Sequence, residues 1–216
     1  MKENQKMSKK WEYGEAYKKY DMEGEIEIGT GKVKVHDIFE PLPNFMKEAD
    51  CIFSDPPCSL SNINTFYTKA DKEEEQKFSF TPFENRFFEC VDEIKPKKLF
   101  LEVFKANRDS FIKKCEERYK NVKVYESMYY HSKKNKCWII TCSNEKLPNY
   151  PFEGIDEQNV IEWICENVDY KCIADPCMGR GLVGFYSNKY NKKFVGTELN
   201  KKRLAVLLER INKNKL

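Results

Sequence analysis

The 216-residue sequence has no apolar run near the roughly 20 residues that a membrane-crossing helix requires. It is therefore not read as a membrane protein. Its opening stretch, MKENQKMSKKWEYG, is charged and lacks the apolar core of a secretory leader. There is no C-x-x-C pair, and the two histidines, His36 and His131, have no ligand partner at metal spacing. No bound metal is expected. The nine cysteines are odd in number, and Cys51, Cys137, Cys142 and Cys172 lie inside apolar runs. Buried free thiols in a reducing, cytoplasmic setting fit this pattern better than a disulfide framework. No internal repeat is present.

What remains is the signature of one soluble domain. The length suits a single full-sized core. Residues 1–30 read as an N-terminal extension and residues 31–216 as that domain. A net charge of +3, with 34% charged residues, is mildly basic, which is compatible with a nucleic-acid partner without demanding one. The basic runs KPKK (95–98), HSKKNK (131–136) and NKNK (212–215) are candidate phosphate contacts, although interspersed acids suit solvated helix faces equally well.

Seven short strand-like runs stand between turn or helix signals: 32–35, 51–54, 99–103, 122–130, 137–141, 172–174 and 193–197. Helical periodicity fills most of the gaps. Phe83, Phe87, Val91 and Ile94 share one face, as do Phe111, Cys115 and Tyr119. Val160, Ile161, Ile164 and Val168 form a third stripe, and Leu204, Leu207, Leu208 and Ile211 a fourth, with Asn200 as N-cap. Strands alternating with helices predict a parallel sheet covered on both faces. Only HSKKNK separates Tyr130 from Cys137, too few residues for a parallel crossover, so these two strands should pair as an antiparallel hairpin. The predicted fold class is α/β: a Rossmann-like, seven-stranded, mostly parallel sheet with one antiparallel hairpin. The charge-rich segment 68–77 reads as an exposed loop.

Two turns carry the chemistry. In ADPCMGRGLVG, Gly179, Gly181 and Gly184 form G-x-G-x-x-G between a strand and a helix, where glycine permits a tight turn and close backbone approach to a ligand. Glu198, ending the next strand, is placed for ribose hydroxyls. A glycine turn that merely packs helix on strand has the same pattern. A nicotinamide dinucleotide is disfavoured, because only one helix and a tail follow Glu198. The second turn, IFSDPPCSLSN, ends a strand in Asp55-Pro56-Pro57-Cys58. Two prolines stiffen it, and neither supplies an N–H to compete for the Pro56 carbonyl. A carboxylate and a free carbonyl together accept two hydrogen bonds from a planar NH2 group. A merely rigid turn is the plainer reading.

The two turns together resemble those of S-adenosylmethionine-dependent amino-methyltransferases of the nucleic-acid N6-adenine/N4-cytosine group. SDPPC is similar to that group's D/N/S-P-P-aromatic catalytic motif, a DPPY-like element. DPCMGRG resembles its D-P-F-x-G-x-G cofactor loop, GTELN its G-x-E-x-N element, and VHDIF its G-D-x-L element. The catalytic motif precedes the cofactor loop, as in the circularly permuted β class and the eukaryotic mRNA adenosine methyltransferases, and the likeness spans about residues 33 to 211. It implies a class I methyltransferase fold, circularly permuted, and S-adenosylmethionine as cofactor. Asp55 and the Pro56 carbonyl, with Pro57 and Cys58 completing the motif, would hold the target amino group. Asp175, Gly179 and Gly181, in a loop that includes Pro176 and Cys177, would approach the methionyl part of the cofactor. Glu198 would approach its ribose, within the element that ends in Asn200, and Asp37 its adenine.

The sequence departs from that pattern in three places. Cys58 stands where the group has an aromatic ring to stack on an extruded base, and Phe66 or Tyr67 downstream are candidates to supply it. Cys177 replaces a phenylalanine. Only SNEKLPNYPFEG follows Ser143 before the next helix, too little for a separate base-reading domain. The favoured expectation is methyl transfer to adenine N6 in DNA, with residues 59–80 as a target-side loop. A protein partner for target recognition and a homodimer are both compatible with this. The alternatives are an RNA adenine or protein amide or amine methyltransferase, or a catalytically degenerate binding subunit.

Overall fold

A computed structural model describes residues 13–214. The first part of the expected N-terminal extension, residues 1–12, lies outside the described residues. Among the described residues, eight strands alternate with six α-helices: β1 (Glu25–Ile28), β2 (Gly31–Val35), β3 (Cys51–Ser54), α1 (Leu60–Lys69), α2 (Thr81–Ile94), β4 (Lys98–Val103), α3 (Arg108–Glu116), β5 (Asn121–Tyr129), β6 (Ser132–Ser143), α4 (Glu157–Asn167), β7 (Cys172–Asp175), α5 (Leu182–Lys189), β8 (Lys193–Glu198) and α6 (Lys201–Lys213).

The strands form one sheet in the order β1-β2-β8-β7-β3-β4-β6-β5. The five from β2 to β4 are parallel, and β6 runs antiparallel to both β4 and β5. All seven expected strands are present. The eighth, β1, comes from the N-terminal segment and pairs antiparallel with β2 at the sheet edge. Its EIEI alternation is the period-2 pattern of a half-covered edge strand.

Helices cover both faces because the central strands are apolar on both. Ile52, Leu99, Leu101 and Val195 face the layer of α1, α2 and α3, while Phe53, Phe100, Ile173 and Phe194 face α4, α5 and α6. The four predicted helical stripes are largely buried, with Ile211 at the partly exposed margin. All nine cysteines are free; seven are buried, and Cys58 and Cys177 are half-buried. Among the described residues, no helix is long and apolar enough to cross a membrane.

Two local expectations require correction. Residues 59–80 are not one loop, because Leu60–Lys69 forms α1. The Ser59 side chain caps that helix by accepting from the Asn62 N–H at 3.2 Å, and it buries Ile63 and Tyr67. The β5–β6 connection is also tighter than HSKKNK suggested. Only Tyr130 and His131 form the turn, both at positive φ (54° and 52°), and Lys133–Lys136 already belong to β6. This two-residue, left-handed turn normally takes Asn or Gly. Here the carboxylates of Asp156 and Glu157, at the start of α4, accept the His131 and Tyr130 N–H groups and hold it in place.

From the sheet centre, β7 leads through α5 to β8 on one side, while β3 leads through α1 and α2 to β4 on the other. Such a reversal of winding opens a crevice at the carboxyl ends of the two strands. Both Asp-Pro turns sit there.

Candidate active site

Asp55 follows the last residue of β3 and Asp175 ends β7. The turns they begin are tied together: the Ser54 hydroxyl donates to Asp175 Oδ1 at 2.9 Å, and that oxygen also accepts the Cys177 N–H at 3.0 Å. A cavity of about 500 Å³ opens beside them, within the usual size of a small-molecule site. Asp55, Pro56, Pro57, Cys58, Asp175, Pro176, Cys177 and Gly179 all line it, as do Asp37, Glu198, Phe66 and Tyr67.

Two expected site residues stand outside the lining. Gly181 is in the left-handed region, at φ +72°, and a Cβ there would come within 2.7 Å of Leu207. Its glycine serves the turn and the packing against α6. Asn200 caps α6 by accepting the Lys202 N–H at 2.8 Å, and its amide donates to the Lys69 carbonyl at 2.7 Å.

The glycine loop is held from the β8 side. Glu198 Oε2 accepts the Gly179 N–H at 2.7 Å, and Oε1 accepts the Asn200 N–H at 3.0 Å. The Thr197 hydroxyl donates to the Pro176 carbonyl at 2.9 Å. Glu198 therefore shapes the loop, and each of its oxygens retains a further lone pair. Burial raises its pKa, opposed mainly by Arg203.

At the other end, Asp37 is buried and clamped. The Tyr67 hydroxyl donates to both of its oxygens, at 2.9 and 2.7 Å, and the Phe39 N–H adds a bond of 3.0 Å. α1, the helix missed in the sequence, is what brings Tyr67 there. Phe66 lies under the Arg203 guanidinium, 4.7 Å from its ring centroid.

Several cavity residues were not anticipated. Arg203 on α6 reaches within 4.0 Å of Glu198 Oε1, and its buried Nε has no hydrogen-bond partner among the described residues. Phe104 and Tyr129 meet edge to face at 5.1 Å, and Tyr130, half-exposed, sits 4.1 Å from Tyr129. Glu102 on β4 and Glu157 on α4 complete the acidic side. A Glu in the middle of LFLEV was a detectable oddity, since central strands rarely carry an acid.

Burial dominates the electrostatics. It pushes Asp55 up to about 7, with nearby Arg203 pulling the other way. Asp175 is also pushed up to about 7 by burial, against its two hydrogen bonds. Glu157 reaches about 7 through burial and then its neighbour Asp156. Glu102 is raised well above the carboxylate range by burial, then by Asp55 and Glu157. The Cys58 thiol is raised by burial, and Asp55 adds to the effect. It is a neutral thiol at neutral pH.

No family model matches the sequence, and no curated protein matches it. Solved structures do. The chain aligns with M1.HpyAVI in its SAM complex at a TM-score of 0.58 and 14% identity, covering 84% of this chain and 99% of that one. TTHA0409 from Thermus thermophilus, complexed with S-adenosyl-L-methionine and described as a candidate DNA modification methylase, aligns at 0.52 and 12% identity, covering 76% and 84%. PvuII DNA methyltransferase, cytosine-N4-specific, aligns at 0.51 and 9% identity, covering 87% and 94%. These likenesses establish the class I methyltransferase fold.

Proposed function

We propose that this protein transfers a methyl group from S-adenosylmethionine to the exocyclic amino group of a DNA base, adenine N6 in preference to cytosine N4. One observation carries the reading. The Asp55-Pro56-Pro57 turn and the Asp175 glycine loop, joined by the Ser54–Asp175 hydrogen bond, open on one cavity at the switch point of a methyltransferase fold.

The residues present suit the cofactor. Asp175, Glu198 and Asp55 offer an acidic lining to a cationic ligand, and the unpartnered Nε of Arg203 suits a carboxylate. The glycine loop, Glu198 and Asp37 would hold its methionyl part, ribose and adenine respectively. When bound, S-adenosylmethionine supplies a sulfonium-activated methyl group. The chain's own part is orientation. Asp55 and the Pro56 carbonyl accept the two amino N–H bonds and fix the nitrogen for in-line attack, which is the main source of acceleration in such a site. Asp55 or water then takes the proton.

Asp rather than Ser before the two prolines favours adenine. The catalytic turn precedes the cofactor loop in the chain, which supports a circularly permuted, β-class arrangement of residues 31–216. Phe104 and Tyr129 supply ring surface that Cys58 lacks, beside Phe66 and Tyr67. Exposed Lys133, Lys134 and Lys136, on the hairpin that bears Tyr130, are suited to phosphates.

The test is tritiated methyl transfer from S-adenosylmethionine to DNA, RNA and lysate protein, with Asp55→Ala as control. Label in N6-methyladenine of DNA, lost in D55A, is expected. Only N4-methylcytosine would overturn the adenine preference, and label confined to RNA or protein would overturn the DNA reading. Transfer unchanged in D55A would sink the mechanism.

A further inference from the structure

Asp55, the residue after β3, lies next to Glu102 on the neighbouring parallel strand β4. The β3–β4 register pairs Ser54 with Leu101, so the next positions, Asp55 and Glu102, lie side by side. Neighbouring strands are about 4.8 Å apart. Glu102 alternates with Leu101 and Val103, which face α1–α3, and therefore shares the opposite face with Phe100. It is 1% exposed and lines the cavity, and its Oε1 has no hydrogen-bond partner among the described residues. An unsatisfied buried carboxyl oxygen is costly and calls for a function. The acids around it do not converge as a metal site: among the described residues, no group of three or more His, Cys, Asp or Glu side chains is placed to hold a metal ion.

We propose that Glu102 is a specificity-determining residue, whose carboxyl hydrogen-bonds the ring nitrogen next to the amino group held by Asp55 and Pro56. This rests on the amino-methyl transfer proposed above. Adenine presents N1 beside its N6 amino group, and cytosine presents N3 beside its N4 amino group. Each is an amino donor next to a ring acceptor. Asp55 accepts from the first and a protonated Glu102 donates to the second. Guanine and thymine reverse the order at the same edge, with a carbonyl beside an N–H, and would leave both carboxyls mispaired.

The surroundings favour the protonated acid. Asp55 faces Glu102 from the β3 turn, Glu157 and Asp156 from α4, Tyr129 from β5 and Cys137 from β6. The Cys137 thiol is the only one of these whose hydrogen bond favours the ionised form. The Arg203 charge acts on Asp55 and favours its ionised form against burial, whereas the charges around Glu102 favour its neutral form, so the pair is complementary.

The test pairs variants with altered bases. Oligonucleotides carry adenine or 1-deazaadenine, and cytosine or 3-deazacytosine, at the methylated position. In the wild-type protein, loss of the ring nitrogen should lower kcat/KM by about 10- to 100-fold, the usual effect of leaving a buried polar group unpaired. Glu102→Ala should lose a similar factor on the natural base and show no further loss on the deaza base. Glu102→Gln, which keeps a neutral donor of the same shape, should retain the deaza penalty. Equilibrium binding of the same oligonucleotides, followed by fluorescence anisotropy without cofactor, should show the same pattern. An equal deaza penalty in the wild type and E102A, or none in the wild type, overturns the proposal, since a purely structural role would lower both substrates together. Wild-type protein that methylates neither adenine nor cytosine overturns the underlying reading and this one with it.

Discussion

The Ser54 hydroxyl donates to Asp175 Oδ1 at 2.9 Å, joining the strand ends that carry the two Asp-Pro turns. Neither residue is exposed to solvent, and the bond crosses the switch point of the sheet. It fixes the Asp55-Pro56-Pro57 turn relative to the glycine loop, the geometry on which the proposed in-line transfer depends.

Removing that hydroxyl should loosen the link without emptying the core. Ser54→Ala leaves Asp175 Oδ1 with the Cys177 N–H alone. A buried hydrogen bond to a carboxyl is worth about 1–3 kcal/mol, so Tm should fall by several degrees. S-adenosylmethionine affinity should fall by about 3- to 10-fold, to be read by calorimetry. Unchanged affinity would show that the bond serves stability alone.

Asp55 should trade stability for activity. Asp55→Ala should lower methyl transfer by about 100-fold or more, because orientation of the amino group is lost. At pH 8 the same substitution should raise Tm, by about 2–6 °C, because it removes a half-buried, desolvated charge. At pH 5, where Asp55 is protonated, the gain should be smaller. Thermal melts at the two pH values check this.

The pH dependence should run in opposite directions for stability and turnover. Asp55, Asp175 and Glu157 are raised from ordinary carboxylate values to about 7 in the folded protein. Between about pH 4 and pH 7 the folded state therefore binds more protons than the unfolded chain. Stability should be greatest at the acid end of that window and should decline as pH rises to about 7, then level off. The proposed mechanism uses ionised Asp55 as acceptor, so kcat/KM should rise through the same window. Urea titrations and rate profiles from pH 5 to 8.5 check both directions.

The Tyr67–Asp37 clamp separates two roles for Tyr67. Tyr67→Phe keeps the ring but leaves both Asp37 oxygens without the hydroxyl. Cofactor Kd should weaken by about 3- to 10-fold while the KM for DNA stays within about twofold. The opposite split would assign the Tyr67 hydroxyl to the DNA side of the cavity instead.

Position 58 should tolerate loss of the thiol. Cys58→Ala should cost less than about threefold, whereas Tyr129→Ala, which removes ring surface from the cavity, should raise the KM for DNA by about 10-fold or more. Cys58→Tyr should improve turnover if the pocket is short of a ring. A large loss in C58A would assign the thiol a role in the reaction.

Much of the architecture was legible in the sequence because its causes are local. All seven expected strands have β-branched or aromatic runs between turn signals, and the stripes of α2, α4 and α6 follow the 3.6-residue period. Edge strand β1 escaped because its alternating Glu and Ile give a weak apolar signal. Helix α1 escaped because its residues, LSNINTFYTK, are mostly polar, with two buried anchors, Ile63 and Tyr67. The Tyr130–His131 turn escaped because its stability comes from Asp156 and Glu157, more than 20 residues away.

The sequence by itself determined the two rigid Asp-Pro turns, their order along the chain and the strands that end in them, since proline geometry and periodicity act over a few residues. Only the tertiary structure decided what those turns face. Ser54 meets Asp175 across 121 positions, Tyr67 meets Asp37 through an unanticipated helix, and Glu102 lies beside Asp55 only because β3 and β4 pair in that register. Hydrogen bonding and desolvation depend on distance in space, which chain order does not carry. Cys58 thus turned from an apparent defect in a motif into one wall of a cavity whose rings and second carboxyl come from other parts of the chain.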